Sequence, residues 1–289
     1  MTELVSECKI NLNLIIGQKD REGRHFLESI VVPLSSPSDL IRIRPASSGG
    51  LRFRCDKPLE GENIMVKAYE LFAEATSIRP DLEVELIKNV PVGAGLGGGS
   101  GDAAAFLKWL NDSCGRPLDD DALRDLAFSL GSDVPLFLRS GPSVIRGKGE
   151  KTEPIRLKWP RFQVVIVWPD EHISTKWAYE ALDEAREREK NLTNEDANNK
   201  NLALSREERI EIRDPFFYRN DLEAPVFEAY PRLAELKENF YVLGAFYAAM
   251  SGSGSSIYGL FTDEQTAETA RKTLANRYSH VYLSSHAGM

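Results

Sequence analysis

The stretch that decides the fold is PVGAGLGGGSGDAAA, residues 91–105. It contains Gly93, Gly95 and Gly98 at the spacing G-x-G-x-x-G, which is the fingerprint of a dinucleotide-binding turn. A dinucleotide fold also needs a second parallel strand that ends in an acidic residue about 20 positions further on. The acidic residues at that distance, 119–121, open the predicted helix DDALRDLAFSL and follow no strand. The missing strand disfavours a dehydrogenase.

A P-loop is also disfavoured, because the chain has no Gly-Lys pair that is followed by Ser or Thr. What remains is a glycine loop that enters a helix. Its backbone N–H groups can converge on an anion at the positive end of the helix dipole, which is phosphate chemistry. Ser100 adds a hydroxyl that can bind phosphate or Mg²⁺. The alternative is a tight strand-to-helix connection that binds nothing.

The composition is that of a soluble globular protein, since 289 residues with 42% hydrophobic residues can bury one large core or two modest ones. The net charge of −8 argues against a nucleic-acid surface. The N-terminal MTELVSECKI lacks the features of a signal peptide, and no apolar run is long enough to cross a bilayer. We therefore expect a cytoplasmic protein without a nucleic-acid or membrane partner. The three cysteines are far apart and are expected to be free thiols.

Apolar alternation predicts a β-rich first part, with strands at CKINLNLII, HFLESIVVPL, LIRIRP, LRFRC and LEVELI. A helix, IMVKAYELFAEAT, interrupts these strands, with Asn63 as its N-cap. After the glycine loop, AAAFLKWLNDS and DDALRDLAFSL are predicted helices. A change in composition near residue 155 predicts two domains, 1–155 and 156–289.

The second part begins with a predicted strand near RFQVVIVWP, and a charged helix from about Trp177 to Lys190 follows it. The polar, Asn-rich segment NLTNEDANNKN predicts a mobile loop. The remaining pattern predicts a helix at GAFYAAM, the loop SGSGSS, a strand at IYGLF, a helix from about Asp263 to Arg277, and a strand at HVYLSS.

The glycine loop resembles the second motif of the GHMP kinases, which are named for galactose, homoserine, mevalonate and phosphomevalonate. Its three glycines before Ser100 are most similar to the branch that phosphorylates 4-diphosphocytidyl-2-C-methyl-D-erythritol. Five further motifs of that branch occur in the expected order: KINLNL, GRHFLESI, LGSDVPLFL, RNDLE and SGSGSS. The resemblance implies an α+β, two-lobed GHMP kinase fold with an N-terminal nucleotide lobe and the active site in the cleft between the lobes.

The resemblance further implies that ATP binds along the glycine loop and that Mg²⁺ is a cofactor. The residues expected to contact the nucleotide are Asn63, Lys88, Pro91, Gly93, Gly95, Gly97, Gly98, Gly99, Ser100 and Gly101. From the residues alone, Asn63 could equally be an ordinary helix cap and Lys88 a solvated strand residue. SGSGSS resembles the family motif that closes over the phosphates and the substrate, and a flexible linker is its alternative.

In KINLNL, strand alternation places Lys9, Asn11 and Asn13 on one face. Taken alone, this would be a solvated face of a sheet. The resemblance instead implies that Lys9 lies beside the substrate hydroxyl and that Asn11 helps to hold the substrate. Asp133, which alone could be a turn residue, is implied to be a general base that Lys9 orients and keeps ionised.

Three residues match positions at which this branch of the family holds cytosine. His25 matches the residue that reads the edge of the base, although a lone histidine is more often structural. Arg24 stands where the branch usually has an aromatic residue, and a guanidinium plane can also stack on a base. Tyr179 matches the second aromatic wall.

The expected function is therefore transfer of the ATP γ-phosphoryl group to the 2-hydroxyl of 4-diphosphocytidyl-2-C-methyl-D-erythritol, a step of non-mevalonate isoprenoid synthesis. The expected partner is this small cytidine diphosphate-linked substrate, and the protein is expected to be a monomer or a weak homodimer. One alternative is a kinase of the same fold for another small alcohol, such as mevalonate or homoserine. The other is a non-catalytic protein of the same fold that binds a nucleotide.

Overall fold

The computed structural model describes residues 1–58, 61–155, 161–193 and 218–286. The described strands are β1 (Thr2–Asn11), β2 (Ile15–Lys19), β3 (His25–Pro45), β4 (Leu51–Cys55), β5 (Leu82–Ile87), β6 (Ser143–Gly147), β7 (Lys151–Pro154), β8 (Phe162–Trp168), β9 (Tyr247–Met250), β10 (Ile257–Phe261) and β11 (His280–His286). The described helices are α1 (Ile64–Thr76), α2 (Gly98–Ser113), α3 (Asp120–Leu130), α4 (Thr175–Thr193), α5 (Glu223–Ala229), α6 (Pro231–Val242) and α7 (Glu264–Ala275), together with a short 3₁₀ helix at Val134–Leu138.

These elements form two compact units that are interleaved along the sequence. The first unit comprises Met1–Lys9, Pro33–Val92 and Leu96–Gly141. The second unit comprises Ile10–Val32, Gly93–Gly95 and Pro142–Met289. The chain therefore passes between the units several times, and the glycine loop contributes residues to both. The predicted domain boundary at residue 155 remains a prediction.

In the first unit, β5 is the middle strand of three, with β4 parallel on one side and the later part of β3 antiparallel on the other. Leu82, Val84 and Leu86 alternate along β5 with Glu83 and Glu85. The three apolar side chains are buried in one core with residues of α1, α2 and α3. Period-2 alternation thus gives the sheet one face covered by helices and one charged face.

The second unit contains a four-stranded antiparallel sheet in the order β11-β8-β10-β9. Its core includes Val165 and Val167 of β8 together with side chains of α4 to α7. Leu14 and Ile16, from the beginning of the chain, belong to the same core. The first part of β3 pairs antiparallel with β2 and β6 in this unit.

Most of the predicted elements agree with the structure. The helix IMVKAYELFAEAT has the predicted bounds, and the Asn63 side chain accepts a hydrogen bond from the Met65 N–H as a cap should. The helix predicted at GAFYAAM is wrong, because Tyr247–Met250 forms β9 and pairs with β10. Ala and Met favour helices, but periodicity cannot distinguish so short an apolar run from a buried strand.

The segment NLTNEDANNKN begins within the last turn of α4, and from residue 194 onward it lies outside the described residues. The predicted α+β class is confirmed. No helix in the described ranges combines the length and the apolar composition that crossing a membrane requires.

Candidate active site

The glycine loop connects β5 to α2 and opens with Pro91. Gly93, Gly95 and Gly97 have φ angles of +73°, +77° and +69°, a region that side chains with a Cβ atom rarely enter. The helix begins at Gly98, whereas the sequence pattern placed its start after the glycines. That earlier start was missed because glycine has a low helix propensity.

The first turn of α2 leaves backbone donors without an acceptor inside the helix. The first bond of the helix runs from the Gly101 N–H to the Gly97 carbonyl, at 2.9 Å. The N–H groups of Gly98, Gly99 and Ser100 precede it and therefore have no intrahelical partner. The positive end of the helix dipole is at the same place, so this turn suits an anion such as a phosphate.

Lys9 lies against this loop. Its backbone N–H donates to the Leu96 carbonyl at 2.9 Å. A Cβ atom added to Gly97 would lie 3.1 Å from Cγ and Cε of Lys9 and 3.2 Å from Cζ of Phe137. The lysine stem thus packs against the backbone just before α2 begins, in a space that only a glycine leaves open.

The Lys9 ammonium lies 3.9 Å from Oδ2 of Asp133, the residue immediately before the 3₁₀ helix. The two environments differ, since 5% of the Lys9 side chain is exposed and 40% of the Asp133 side chain. Burial lowers the pKa of Lys9, and the charge of Asp133 offsets part of that shift. The structure therefore brings together the two residues predicted to be catalytic, and it excludes a solvated position for Lys9.

Asn11 and Asn13 are also buried, so the solvated-face alternative is wrong for them as well. The Asn11 amide donates to Oγ of Ser29 at 2.8 Å, and that hydroxyl donates to the Asn13 carbonyl at 2.6 Å. The Ile30 N–H donates to the Asn13 side chain. These bonds fix the end of β1 against β3, while a substrate contact of Asn11 stays a prediction.

Lys88 is not a solvated strand residue either. It is buried just after β5, and its ammonium pairs with Asp39 and with Asp102, at 2.8 Å from Oδ2 of Asp102. Burial raises the pKa of Asp102 to about 7, although the Lys88 charge opposes that shift. The nucleotide contacts predicted for Asn63 and Lys88 stay predictions.

The predicted loop SGSGSS lies on the middle of the glycine loop. The Ser251 hydroxyl donates to the Gly95 carbonyl at 2.9 Å, and the Ser256 N–H donates to the Ala94 carbonyl at 3.2 Å. A Cβ atom on Gly95 would lie 2.1 Å from the Ser251 carbonyl oxygen. Ser251, Ser255 and Ser256 are fully buried, so the flexible-linker alternative is wrong.

Asn220, in the motif RNDLE, is a residue whose role the sequence did not reveal. Its buried amide donates to the carbonyls of Met250 and Gly252, at 3.0 and 2.7 Å. Its Oδ1 accepts from the Leu222 N–H at 3.0 Å. Asn220 thus fixes the beginning of the SGSGSS loop. The partners lie about 30 residues away, so no local pattern could indicate them.

His25 and Tyr179 are brought together in the second unit, with ring centroids 5.4 Å apart. The His25 ring is held at both nitrogens, with Nδ1 3.0 Å from the Gly17 carbonyl oxygen and Nε2 3.1 Å from Oδ1 of Asp183. Arg24 is not part of this cluster, because its side chain is mostly exposed and pairs with Glu22.

Asp183 is a second residue that the sequence reasoning missed. Burial alone would raise its pKa, but a hydrogen bond from Lys19 and the contact with His25 outweigh burial, so the pKa lies below its usual value. Its position four residues after Tyr179 on α4 was an available signal, since such residues share a face of a helix.

The fold and these sites define a class of protein. The model of the GHMP kinases N terminal domain matches residues 63–141, and that of the GHMP kinases C terminal domain matches residues 199–280. The chain belongs to the GHMP kinases, a family of small-molecule kinases that use ATP as the phosphate donor. The resemblance found in the motifs is thereby confirmed.

Two relatives within the family carry the same name. The 4-diphosphocytidyl-2-C-methyl-D-erythritol kinase of Solidesulfovibrio magneticus is 38% identical over 290 residues, which cover 98% of this chain and 96% of that protein. The enzyme of the same name from Treponema pallidum (strain Nichols) is 35% identical over 284 residues, with 95% of each chain covered.

Solved structures agree with this assignment. A crystal structure of 4-(cytidine 5'-diphospho)-2C-methyl-D-erythritol kinase superposes with a TM-score of 0.78 at 30% identity and covers 100% of both chains. Homoserine kinase from Cytophaga hutchinsonii has a TM-score of 0.66 at 16% identity, covering 98% of this chain and 95% of that one. The second similarity shows the fold alone.

Proposed function

We propose that this protein transfers the γ-phosphoryl group of ATP to the 2-hydroxyl of 4-diphosphocytidyl-2-C-methyl-D-erythritol. Relatives named for this substrate span nearly the whole chain at 35–38% identity. The observation that carries the chemistry is the Lys9–Asp133 pair beside the glycine loop. A non-catalytic nucleotide-binding protein would not need such a base, so the pair favours an enzyme.

In the proposed reaction, the Asp133 carboxylate accepts the proton of the 2-hydroxyl as the oxygen attacks the γ-phosphorus. The bond between the γ-phosphorus and the β,γ-bridging oxygen breaks, and ADP leaves with that oxygen. Lys9 orients Asp133 from a buried position. The partial exposure of Asp133 leaves the carboxylate accessible to the alcohol.

The proposed phosphate site consists of the N–H groups of Gly98, Gly99 and Ser100. Preorganised donors of this kind need no reorganisation when charge develops on the transferring group. Gly95 and Gly97 hold the loop in the conformation that precedes the helix, and the SGSGSS loop supports Gly95 from the other side.

Mg²⁺ as a cofactor of this protein is part of the same proposal. Among the described residues, no group of three or more His, Cys, Asp or Glu side chains could hold a metal ion. Mg²⁺ is usually held by phosphates and waters with few protein ligands, so this donor set fits an ion that arrives with the nucleotide. The Ser100 hydroxyl would contact it, and the bound ion would neutralise phosphate charge.

The cytidine end of the substrate is proposed to bind at His25 and Tyr179. Both ring nitrogens of His25 already have protein partners, so reading the edge of a base would require Nε2 to exchange Asp183 for the base. Tyr179 offers a face for stacking, which supplies affinity with little selectivity among bases. The predicted location of the whole site, in a cleft between two lobes, stays a prediction.

The test is an assay of ADP release with three alcohols: 4-diphosphocytidyl-2-C-methyl-D-erythritol, mevalonate and homoserine. We expect turnover with the first alone and a new phosphate ester at its 2-hydroxyl by phosphorus NMR. Turnover with mevalonate or homoserine instead would overturn the substrate assignment. ATP binding without turnover of any of the three would support the non-catalytic alternative.

A further inference from the structure

A buried cluster of three charged residues lies in the first unit, and the proposed reaction does not use it. The Lys88 ammonium pairs with the carboxylates of Asp39 and Asp102. The side chains of Lys88, Asp39 and Asp102 are 4%, 0% and 2% exposed. Two carboxylates share one ammonium, so the fully ionised cluster carries a net charge of −1.

Such a cluster is an inefficient way to stabilise a fold. Moving a charged group out of water costs several kcal/mol, and an apolar replacement for a buried ion pair is often as stable. The third charge makes this cost larger, because its attraction to Lys88 is opposed by repulsion from the other carboxylate. Stability alone therefore does not explain why these three charged side chains are buried together.

The two carboxylates are not equivalent. Asp39 has a complete set of partners, since its Oδ1 accepts from the N–H groups of Asn89 and Val90 at 2.6 and 2.8 Å, and its Oδ2 accepts from Lys88. Asp102 accepts from Lys88 at Oδ2. Its Oδ1 is buried, and the nearby Ser6 hydroxyl does not reach the geometry of a full hydrogen bond to it. Asp39 alone would neutralise the charge of Lys88, so Asp102 is the carboxylate in excess.

Asp102 is the fifth residue of α2, directly after the first turn of the helix, and Lys88 directly follows β5. Their ion pair therefore joins the two ends of the segment that contains the glycine loop. The backbone around this ion pair is tightly packed. A Cβ atom on Gly98 would lie 2.8 Å from Cγ1 of Val90 and 3.3 Å from the Lys88 ammonium. A Cβ atom on Gly101 would lie 2.3 Å from the Glu7 carbonyl oxygen.

We infer that Asp102 is a positioning residue for the nucleotide, acting through Lys88. Asp39 anchors Lys88 to the segment after β5, and Lys88 in turn holds α2 through Asp102, directly after the first turn. The free N–H groups of that turn then keep one orientation before the nucleotide arrives. This inference rests on the proposed phosphate site and does not depend on which alcohol the enzyme uses.

The test compares Asp102→Asn with Asp112→Asn, which removes an exposed acid from the same helix. The probe is ADP, titrated by calorimetry in the absence of any alcohol. We expect Asp102→Asn to weaken ADP binding roughly tenfold, as loss of a hydrogen bond between charged groups does. We expect Asp112→Asn to bind ADP like the wild type. The KM of Asp102→Asn for the alcohol should change little, because neither Asp102 nor Lys88 belongs to the proposed alcohol site.

A double variant, Lys88→Gln with Asp102→Asn, tests whether the effect runs through the pair. If Asp102 acts through Lys88, the double variant should bind ADP no more weakly than Asp102→Asn alone. Unchanged ADP affinity in a folded Asp102→Asn protein would overturn the inference. An equal loss in unfolding midpoint, ADP affinity and alcohol affinity would overturn it too, since that pattern indicates a merely structural role. Altered ADP binding in a protein that phosphorylates a different alcohol would support the inference and refute only the proposed substrate.

Discussion

Lys9 and Asp133 form an ion pair between a buried ammonium and a half-exposed carboxylate, with Nζ and Oδ2 3.9 Å apart. The distance is longer than a hydrogen bond, so Lys9 orients the Asp133 carboxylate by charge while Oδ2 stays accessible to another donor. A general base needs this combination, because it must meet the proton of the substrate rather than that of its own partner.

Replacing Asp133 with Asn should lower turnover by ~10²-fold or more, as loss of a general base does. ADP affinity should stay close to that of the wild type, because the N–H groups at the start of α2 are unchanged. Steady-state kinetics and calorimetry on the same preparation measure the two effects. Near-normal turnover would remove Asp133 from the mechanism.

Replacing Gly97 with Val should weaken ADP binding far more than binding of the alcohol. The new Cβ would press on the Lys9 stem and on Phe137, and a branched residue at a φ of +69° is strained by about 1–3 kcal/mol. The matched control is Gly115→Val, which has a similar φ of +81° but no atom within 4 Å of the new Cβ. Calorimetry with ADP should separate the variants. Equal ADP affinities of Gly97→Val and Gly115→Val would mean that the glycine loop only connects β5 to α2 and does not bind the nucleotide.

Replacing His25 with Ala should erode the preference for the cytidine substrate over its uridine analogue. Cytosine and uracil differ in the donors and acceptors along one edge, and only a fixed hydrogen-bonding group can read that difference. Replacing Tyr179 with Ala should weaken both analogues alike, by about 1–3 kcal/mol for a lost stacking face. The measurement is the ratio of kcat/KM for the two analogues. A wild-type enzyme that used both equally well would contradict the proposed cytosine site.

The stability of the fold should depend on Asp102 between about pH 4 and pH 7. Because burial raises its pKa in the folded protein to about 7 from an ordinary value of 3.8, the folded state holds this proton more tightly than the unfolded state. The resulting stabilisation is fully present below pH 3.8 and is lost as the pH rises through 7. Asp102→Asn should remove this contribution, so its free energy of unfolding should fall less than that of the wild type from pH 5 to pH 8. Urea titrations of both proteins at pH 5 and pH 8 measure this difference. An equal fall in the free energy of unfolding of the wild type and of Asp102→Asn would contradict the prediction.

What the sequence could predict is what local physics determines. The bounds of α1 follow from a cap and a 3.6-residue apolar period that lie within its own residues. The strand at Tyr247–Met250 was missed because its pairing with β10 outweighs the helix propensity of Ala and Met. The sequence could not predict the partners of Lys88 either, since Asp39 lies 49 residues away and no periodic pattern links the two residues.

The candidate active site shows the same difference between residues that local sequence reveals and residues whose partners are distant in the chain. Lys9 and Asp133 were identified through the motifs that contain them, and the structure places them together. Asp183 and Asn220 do their work by holding other residues, and nothing about an isolated Asp or Asn in the sequence indicates what it will hold. Residues of this supporting kind become visible only when the distances are known.

The interleaved order of the two units has a consequence for how the protein is made. Leu14 and Ile16 are translated long before Leu274, yet one core buries all three side chains. Ribosomes add about 5–20 residues per second, so these side chains wait on the order of 10 s or more before their partners emerge. During that interval an apolar strand with unpaired backbone groups is open to wrong pairing. While it waits, the segment that contains Leu14 and Ile16 should therefore be a site at which chaperones bind the nascent chain.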